Sequence, residues 1–338
     1  MPLDPQVRAL LDQLVVGRPA LNTLPVDVGR RAYAESSAKL IPKPAAPVRT
    51  EDRSVDGPAG PIPIRVYVPD AAATGPRPLV VYYHGGGWVV CDLDTHDAVC
   101  RRLALGSDAV VVSVDYRLAP EHRFPAAPDD CAAATRWAFA NAAALGADPA
   151  RVVLAGDSAG GNLAAAVGLR LRDEGGPKAA GQLLIYPVTD HHTAGFASYA
   201  QCAEGYGLTS AVMGWFWDHY LVGPLDADAA ARLSPQAVPL RAPDLRGLPP
   251  ALVLTAEYDV LRDEGEAFAA RLREAGVPVE AERCAGMHHG FFNWGGVLDG
   301  ADRAVDRACD WIRARTRCAA RATRTAGCAC SAIPPPRR

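Results

Sequence analysis

Residues 156–160 read Gly-Asp-Ser-Ala-Gly, behind the apolar run at 152–155 and ahead of a helical stretch from Ala159 to Arg172. A serine on so sharp a strand-to-helix turn lifts its hydroxyl above the sheet, and glycines on either side keep side chains out of the crowded turn. The five-residue pattern also arises by chance in glycine- and alanine-rich chains, where the serine would only cap a helix. Its place between a strand signal and a helix signal makes Ser158 the candidate nucleophile. A hydroxyl attacks well only when a base takes its proton and an acid orients that base. Downstream, "TAEYDVLRDEGE" follows the apolar run at 251–254, and "GMHHGFF" follows a strand-like stretch near 278–284. The chain order is therefore serine, acid, histidine, one of the orders in which such triads occur.

Asp259 lies in the turn after its strand and is the favoured acid, ahead of Glu257 and Asp263. Asp263, Glu264 and Glu266 fall on the next helical stretch, where the plainer reading is a solvated first turn that suits the helix dipole. Spacing leaves His288 and His289 equal as candidates for the base, and either could be an exposed loop residue. The other six histidines, His84, His96, His122, His191, His192 and His219, read as polar or structural. The stretch "HGGGW" at 84–88 ends another apolar run. Glycine costs order, roughly 0.5–1 kcal/mol against alanine inside a regular element, so a run of three suits a loop whose backbone must approach a ligand closely. Beside a serine nucleophile it supplies N–H donors for the oxyanion, together with the N–H of Ala159, the residue after the nucleophile.

The elements that must hold these residues form a regular series. Short apolar runs at 79–83, 109–114, 152–155, 183–186 and 251–254 alternate with helical stretches such as Asp129 to Leu145. Continuous apolar strands separated by helices indicate a mostly parallel sheet buried on both faces, an α/β architecture. "GPIPIRVYVPD" between 46 and 70 adds one strand signal. Two regions break the pattern. Val7, Leu10, Leu11, Leu14 and Val15 recur at helical spacing ahead of Gly17 and Pro19, and residues 190–249 carry the aromatic piece "WFWDHYL" at 215–221, long for a crossover. The aromatic piece reads as an insertion over one end of the sheet or as plain core filling.

Composition bounds the rest. Hydrophobic residues are 49% and charged residues 22% of 338, with a net charge of -3, so a large core can form and nothing draws the chain to nucleic acid. No run approaches a membrane span, and Asp4, Arg8 and Asp12 interrupt the start, which predicts a cytoplasmic protein without membrane insertion. The nine cysteines lack the paired spacing of a zinc or redox site and read as buried thiols. Residues 318–338, rich in Arg, Cys and Pro, read as a disordered tail outside the fold.

With "HGGGW", "DYRLAPEHRFPAAPDD", "GDSAGGNLAAA", "AEYDVLRDEGEAFAARLREAGVPVE" and "MHHGF" in this order, the chain resembles the hormone-sensitive-lipase-like family of bacterial esterases over most of residues 65–315. The resemblance implies an α/β-hydrolase fold with a helical cap. Residues 1–45 would be N-terminal cap helices, 46–189 the first part of the core, 190–225 the cap insertion and 226–317 the second part of the core. It implies a cofactor-free, metal-free serine carboxylesterase acting on short- to medium-chain acyl esters, and it allows a homodimer. Residue by residue, the nucleophile falls on Ser158, the acid on Asp259, the histidine on His289, and the oxyanion donors on Gly86, Gly87 and Ala159. His84 would anchor its loop. Trp88, Asp157, Leu208 and Trp215 are the residues expected around the substrate. Val260 stands where the family commonly has proline, and His288 where it usually has an apolar residue. The same triad would also serve an amide, carbamate or acetyl-carbohydrate hydrolase, and the same fold a non-catalytic receptor.

Overall fold

The computed structural model of the chain describes residues 2–15, 19–221, 229 and 232–328. The expected helix stop at Gly17, the expected cap boundary at 225 and 226, and Cys330 lie outside these residues. At the centre is an eight-stranded sheet in the order β1-β2-β4-β3-β5-β6-β7-β8. Its strands are β1 (Val48–Gly57), β2 (Gly60–Pro69), β3 (Arg77–Tyr83), β4 (Val110–Val114), β5 (Ala147–Asp157), β6 (Gly181–Ile185), β7 (Ala251–Tyr258) and β8 (Val279–His288). All neighbours from β4 through β8 run parallel, whereas β1 and β2 pair antiparallel with each other and β2 pairs antiparallel with β4.

Every apolar run picked out in the sequence lies on a strand of this sheet, because a strand buried on both faces must be apolar at every position. Leu79, Val81 and Tyr83 of β3 face a core built with helices α4 (Ala126–Asn141), α5 (Ala159–Asp173) and α8 (Arg262–Glu274). Val80 and Tyr82 face the opposite core, against α3 (Asp97–Ser107) and α9 (Asp299–Cys328). Each such Val or Leu removed from water contributes about 1.5–3 kcal/mol before conformational entropy is counted.

Three features depart from the sequence reading. β1, "VRTEDRSVDG", is a second strand beside the expected one; its residues are mostly exposed, so it shows no apolar run and exists through its register with β2, Val55 opposite Ile62. Helix α2 (Val26–Leu40) is not marked by apolar periodicity, since only Gly29 and Ser37 are buried in it, although the family resemblance implied helices within residues 1–45. The last helix reaches Cys328, so residues 318–328 are helical where a disordered tail was expected. Alanine and arginine are among the best helix formers, and a stem already packed on the sheet spares the segment the cost of nucleation.

The segments that broke the pattern lie over the carboxyl ends of the strands. α1 (Pro5–Val15) sends Val7, Leu10 and Leu11 into one core, and the Asp4 N–H donates to Gly286 O at the end of β8 (3.1 Å). The insertion supplies α6 (Ser198–Gln201) and α7 (Ser210–Tyr220), whose Met213, Phe216 and Trp217 enter the other core. No helix among the described residues is long and apolar enough to cross a membrane.

Candidate active site

The candidate residues leave four parallel strands at their carboxyl ends, where open α/β sheets bind ligands. β5 runs straight into Ser158, which sits at φ 56°, ψ −120° before α5 begins at Ala159. That left-handed backbone is costly for a residue with a Cβ, and it turns the side chain up and out of the sheet. The turn is tight enough that a Cβ on Gly160 would strike the Tyr83 carbonyl.

Ser158 Oγ lies 2.9 Å from His289 Nε2, and His289 Nδ1 lies 2.7 Å from Asp259 Oδ2. The carboxylate can only accept, so Nδ1 carries the proton and Nε2 offers its lone pair to the serine hydroxyl. Asp259 is fully buried, and its Oδ1 accepts the Leu261 N–H at 2.9 Å. The rival acids are engaged elsewhere. Glu257 accepts the Gly286 N–H (2.7 Å) and Asp263 accepts the Ser198 N–H (2.8 Å). Glu264 is not solvated, as the sequence suggested, but fully buried. Its Oε1 accepts from Thr189 N and Asp190 N, and burial, partly offset by these two bonds, pushes its carboxyl up to about 8.

His288 and His289 part company through the direction of their side chains, because successive residues along an extended chain point to opposite sides. His288 is buried instead of exposed, beneath Gly207 and near Leu11, with Nδ1 lacking a partner. Burial first, then repulsion from His289, holds its imidazole down at about 3, so it is neutral.

After β3 the chain turns through Gly86 at φ 104° and Gly87 at φ 57°. Gly86 O accepts from Val89 N and Val90 N at 3.0 and 2.9 Å, which closes the turn. A Cβ on Gly86 would collide with the Val90 carbonyl, and one on Gly87 with the Phe216 ring. The glycines are therefore required both by left-handed backbone and by close approach. His84 is fully buried, with Nδ1 2.7 Å from Gly85 O and its ring stacked on Tyr116. Burial lowers it to about 4, which leaves it a neutral prop beneath the loop.

Trp88 and Asp157, expected around the substrate, are enclosed instead. Trp88 is 0% exposed, stacked on Tyr220 at 4.0 Å and tilted against Trp217 at 4.8 Å, so it fastens α7 to the loop. Asp157 points down, where its Oδ1 accepts from the Tyr82 hydroxyl (2.8 Å) and the Gly85 N–H (3.0 Å). Burial works to raise its carboxyl, but His96, Tyr82 and Asn293 outweigh that and hold it at about 2. Leu208 and Trp215 are half-buried; Trp215 contacts His219 and Phe216. The aromatic that meets the glycine loop is Phe216, which the cluster at 215–217 signalled without singling out. Sequence reasoning also missed Arg30 of α2. Its guanidinium donates to Val89 O (2.7 Å), Ala119 O (2.9 Å) and both oxygens of Glu121, tying α2 to the glycine loop.

A serine lifted on a strained turn, hydrogen-bonded to a carboxylate-backed imidazole and facing a glycine loop at the carboxyl ends of a mostly parallel sheet, defines an α/β-hydrolase. Residues 80–293 match the family model described as alpha/beta hydrolase fold. The carboxylesterase NlhH of Mycobacterium tuberculosis is 43% identical over 307 residues, covering 90% of this chain and 93% of its own. An ethyl acetate hydrolase of Pseudomonas putida is 38% identical over 317 residues, covering 90% and 96%. A hyperthermophilic esterase from the archaeon Pyrobaculum calidifontis superposes with a TM-score of 0.87 at 43% identity, covering 93% and 99%. The chain belongs to the hormone-sensitive-lipase-like esterases of the α/β-hydrolase fold and is a carboxylic ester hydrolase.

Proposed function

We propose that Ser158, His289 and Asp259 are the catalytic triad of a serine carboxylesterase that works through an acyl-enzyme, and the unbroken Ser158–His289–Asp259 hydrogen-bond chain carries this reading. His289 Nε2 takes the hydroxyl proton as Oγ bonds to the ester carbon. The carbonyl oxygen becomes an anion, received by the N–H groups of Gly86, Gly87 and Ala159, each donor contributing about 3–4 kcal/mol in the transition state. His289 then gives its proton to the departing alkoxide, and the same nitrogen deprotonates the water that releases the acid. Asp259 stays ionised throughout, holding the ring and stabilising the imidazolium.

The substrates are short- to medium-chain acyl esters. The P. putida relative is named for ethyl acetate, and Phe216 packs directly on Gly87, which narrows the space beside the glycine loop. The described parts of residues 1–45 and 190–225 form the cap over the strand ends, with the described parts of 46–189 and 226–317 as the core. The free thiols of Cys91, Cys100, Cys131, Cys202, Cys284 and Cys309 fit a cytoplasmic protein, and the family resemblance allows a homodimer, which size-exclusion chromatography measures.

The test is a chain-length series of p-nitrophenyl esters with the wild type and Ser158→Ala. Turnover is expected to peak at short or medium chains and to fall by several orders of magnitude in the variant. A long-chain optimum with activation at an oil interface would overturn the substrate class, and wild-type turnover in Ser158→Ala would overturn the nucleophile.

A further inference from the structure

The reacting groups are spread over separate loops, and one buried carboxylate touches three of them. Asp157 precedes the nucleophile; its Oδ1 accepts the N–H of Gly85, which opens the glycine loop, and its Oδ2 accepts the amide of Asn293 (3.2 Å), in the turn Phe291–Trp294 just beyond His289. His96, from the loop before α3, completes the cluster. Its Nε2 lies 3.3 Å from Asp157 Oδ1, 3.4 Å from the Gly85 nitrogen and 3.3 Å from the Asn293 amide nitrogen.

The proton inventory shows which way these contacts run. Thr95 Oγ1 donates its one proton to Asp92 O (2.8 Å), so toward His96 Nδ1 (3.1 Å) it can only accept, and Nδ1 is a donor. Nε2 lies among the Gly85 N–H, which donates to it (3.4 Å), the Asn293 amide (3.3 Å) and Asp157 Oδ1 (3.3 Å), at the point where the three loops meet. Among the described residues no lysine or arginine pairs with Asp157, although the carboxylate is almost fully enclosed. Its charge is met by hydrogen bonds from the Tyr82 hydroxyl, the Gly85 N–H and the Asn293 amide, with the His96 ring closing the cluster, and a buried charge without partners is strongly disfavoured. Among the described residues no hydrogen bond joins His96 or Asn293 to Ser158 or His289.

We propose that His96 and Asn293 are positioning residues for ester hydrolysis: through Asp157 they hold the glycine loop, the nucleophile turn and the histidine turn in mutual register. This rests on the triad and oxyanion assignment above. Gly86 and Gly87 have no side chains to anchor them, so the aim of their N–H groups depends on the tether at Gly85. Donors that wander lose their value mainly in the transition state, where charge develops, and much less in substrate binding.

The experiment measures kcat and KM on p-nitrophenyl acetate for His96→Ala, His96→Gln, Asn293→Ala and the double variant His96→Ala/Asn293→Ala. Active sites are counted by organophosphate labelling of Ser158, and Ser158→Ala is run alongside. Each alanine variant is expected to lower kcat per labelled site about 10- to 100-fold with KM within about twofold. His96→Gln, which keeps a polar side chain able to bond Gly85, Asn293 and Asp157, recovers most of the loss. The double variant loses less than the product of the singles, since both act through one carboxylate. If His96→Ala does not fold, His96→Gln and Asn293→Ala carry the test. Normal kcat per labelled site in the alanine variants, or a loss confined to KM or to the number of active sites, overturns the inference. Turnover surviving in Ser158→Ala would instead overturn the assignment beneath it.

Discussion

The strand-end loops and helix α7 lying over them are held mainly by different kinds of contact. In the loops, position is set by hydrogen bonds to backbone and by left-handed backbone angles at Gly86, Gly87, Trp88, Cys91 and Ser158. Over them, α7 packs chiefly through apolar faces, Trp88 between Trp217 and Tyr220 and Phe216 on Gly87, while its last turn is also tied by hydrogen bonds, from the Phe124 N–H to Tyr220 O and from Arg123 to Asp218 O. Hydrogen bonds are directional and fix atoms to within tenths of an ångström, as acyl transfer requires. Apolar packing is non-directional and accepts substitutions of similar volume, which suits a wall whose job is to choose among substrates.

The contrast breaks most visibly at the acid. Asp259→Asn keeps the shape but offers His289 an amide, and kcat for p-nitrophenyl acetate should fall about 10⁴-fold. Asp263→Asn, one turn away, should stay within a few-fold of wild type; the reverse pattern would mean that the acid is misassigned. On the covering side, Trp217→Ala removes the ring wedged against Trp88 and should cost about 3–5 kcal/mol in urea unfolding, with a smaller change in kcat than Asp259→Asn. A large kcat loss without lost stability would show that α7 does more than wall the pocket.

Where the two regions touch, glycine substitutions separate them. Gly86→Ala and Gly87→Ala should each lower kcat about 10²–10³-fold by displacing the donors. Phe216→Ala should restore part of the loss in Gly87→Ala, whose new methyl meets that ring, but none in Gly86→Ala, whose methyl meets the Val90 carbonyl. Equal rescue of both would erase the distinction.

Glu264 joins the start of the insertion to α8. Its carboxyl is raised from 4.5 to about 8, so the folded state binds that proton more tightly than the unfolded chain. Its contribution to stability is complete below pH 4.5 and is lost as pH rises through about 8. Glu264→Gln should flatten Tm across that window and stabilise the protein above it by about 1–3 kcal/mol; an unchanged pH profile would sink the idea. The smallest effect belongs to His288→Leu. It removes a buried imidazole with an unpartnered nitrogen and should leave kcat within about twofold and stability unchanged or slightly higher.

Much of the site is legible in the amino-acid sequence. The chain order of the chemistry, Ser158 then Asp259 then histidine, and the glycine run ahead of them are local patterns, written by the steric demands of single turns and by the apolar character of doubly buried strands. The chain pattern does not register β1, which is charged and exposed and is held by hairpin pairing with its neighbour β2, or α2, whose buried face is only Gly29 and Ser37 and whose Arg30 docks on residues distant in sequence. The same limit applies in the site. Spacing could not separate His288 from His289, nor Phe216 from Trp215, because neighbours of like type differ only in the side of the chain they occupy. Nor could it show that Asp157 faces His96 and Asn293 instead of a substrate, a contact spanning 136 residues. Local chemistry chose the residue types, whereas only packing between distant segments decided which copy of each type meets the serine.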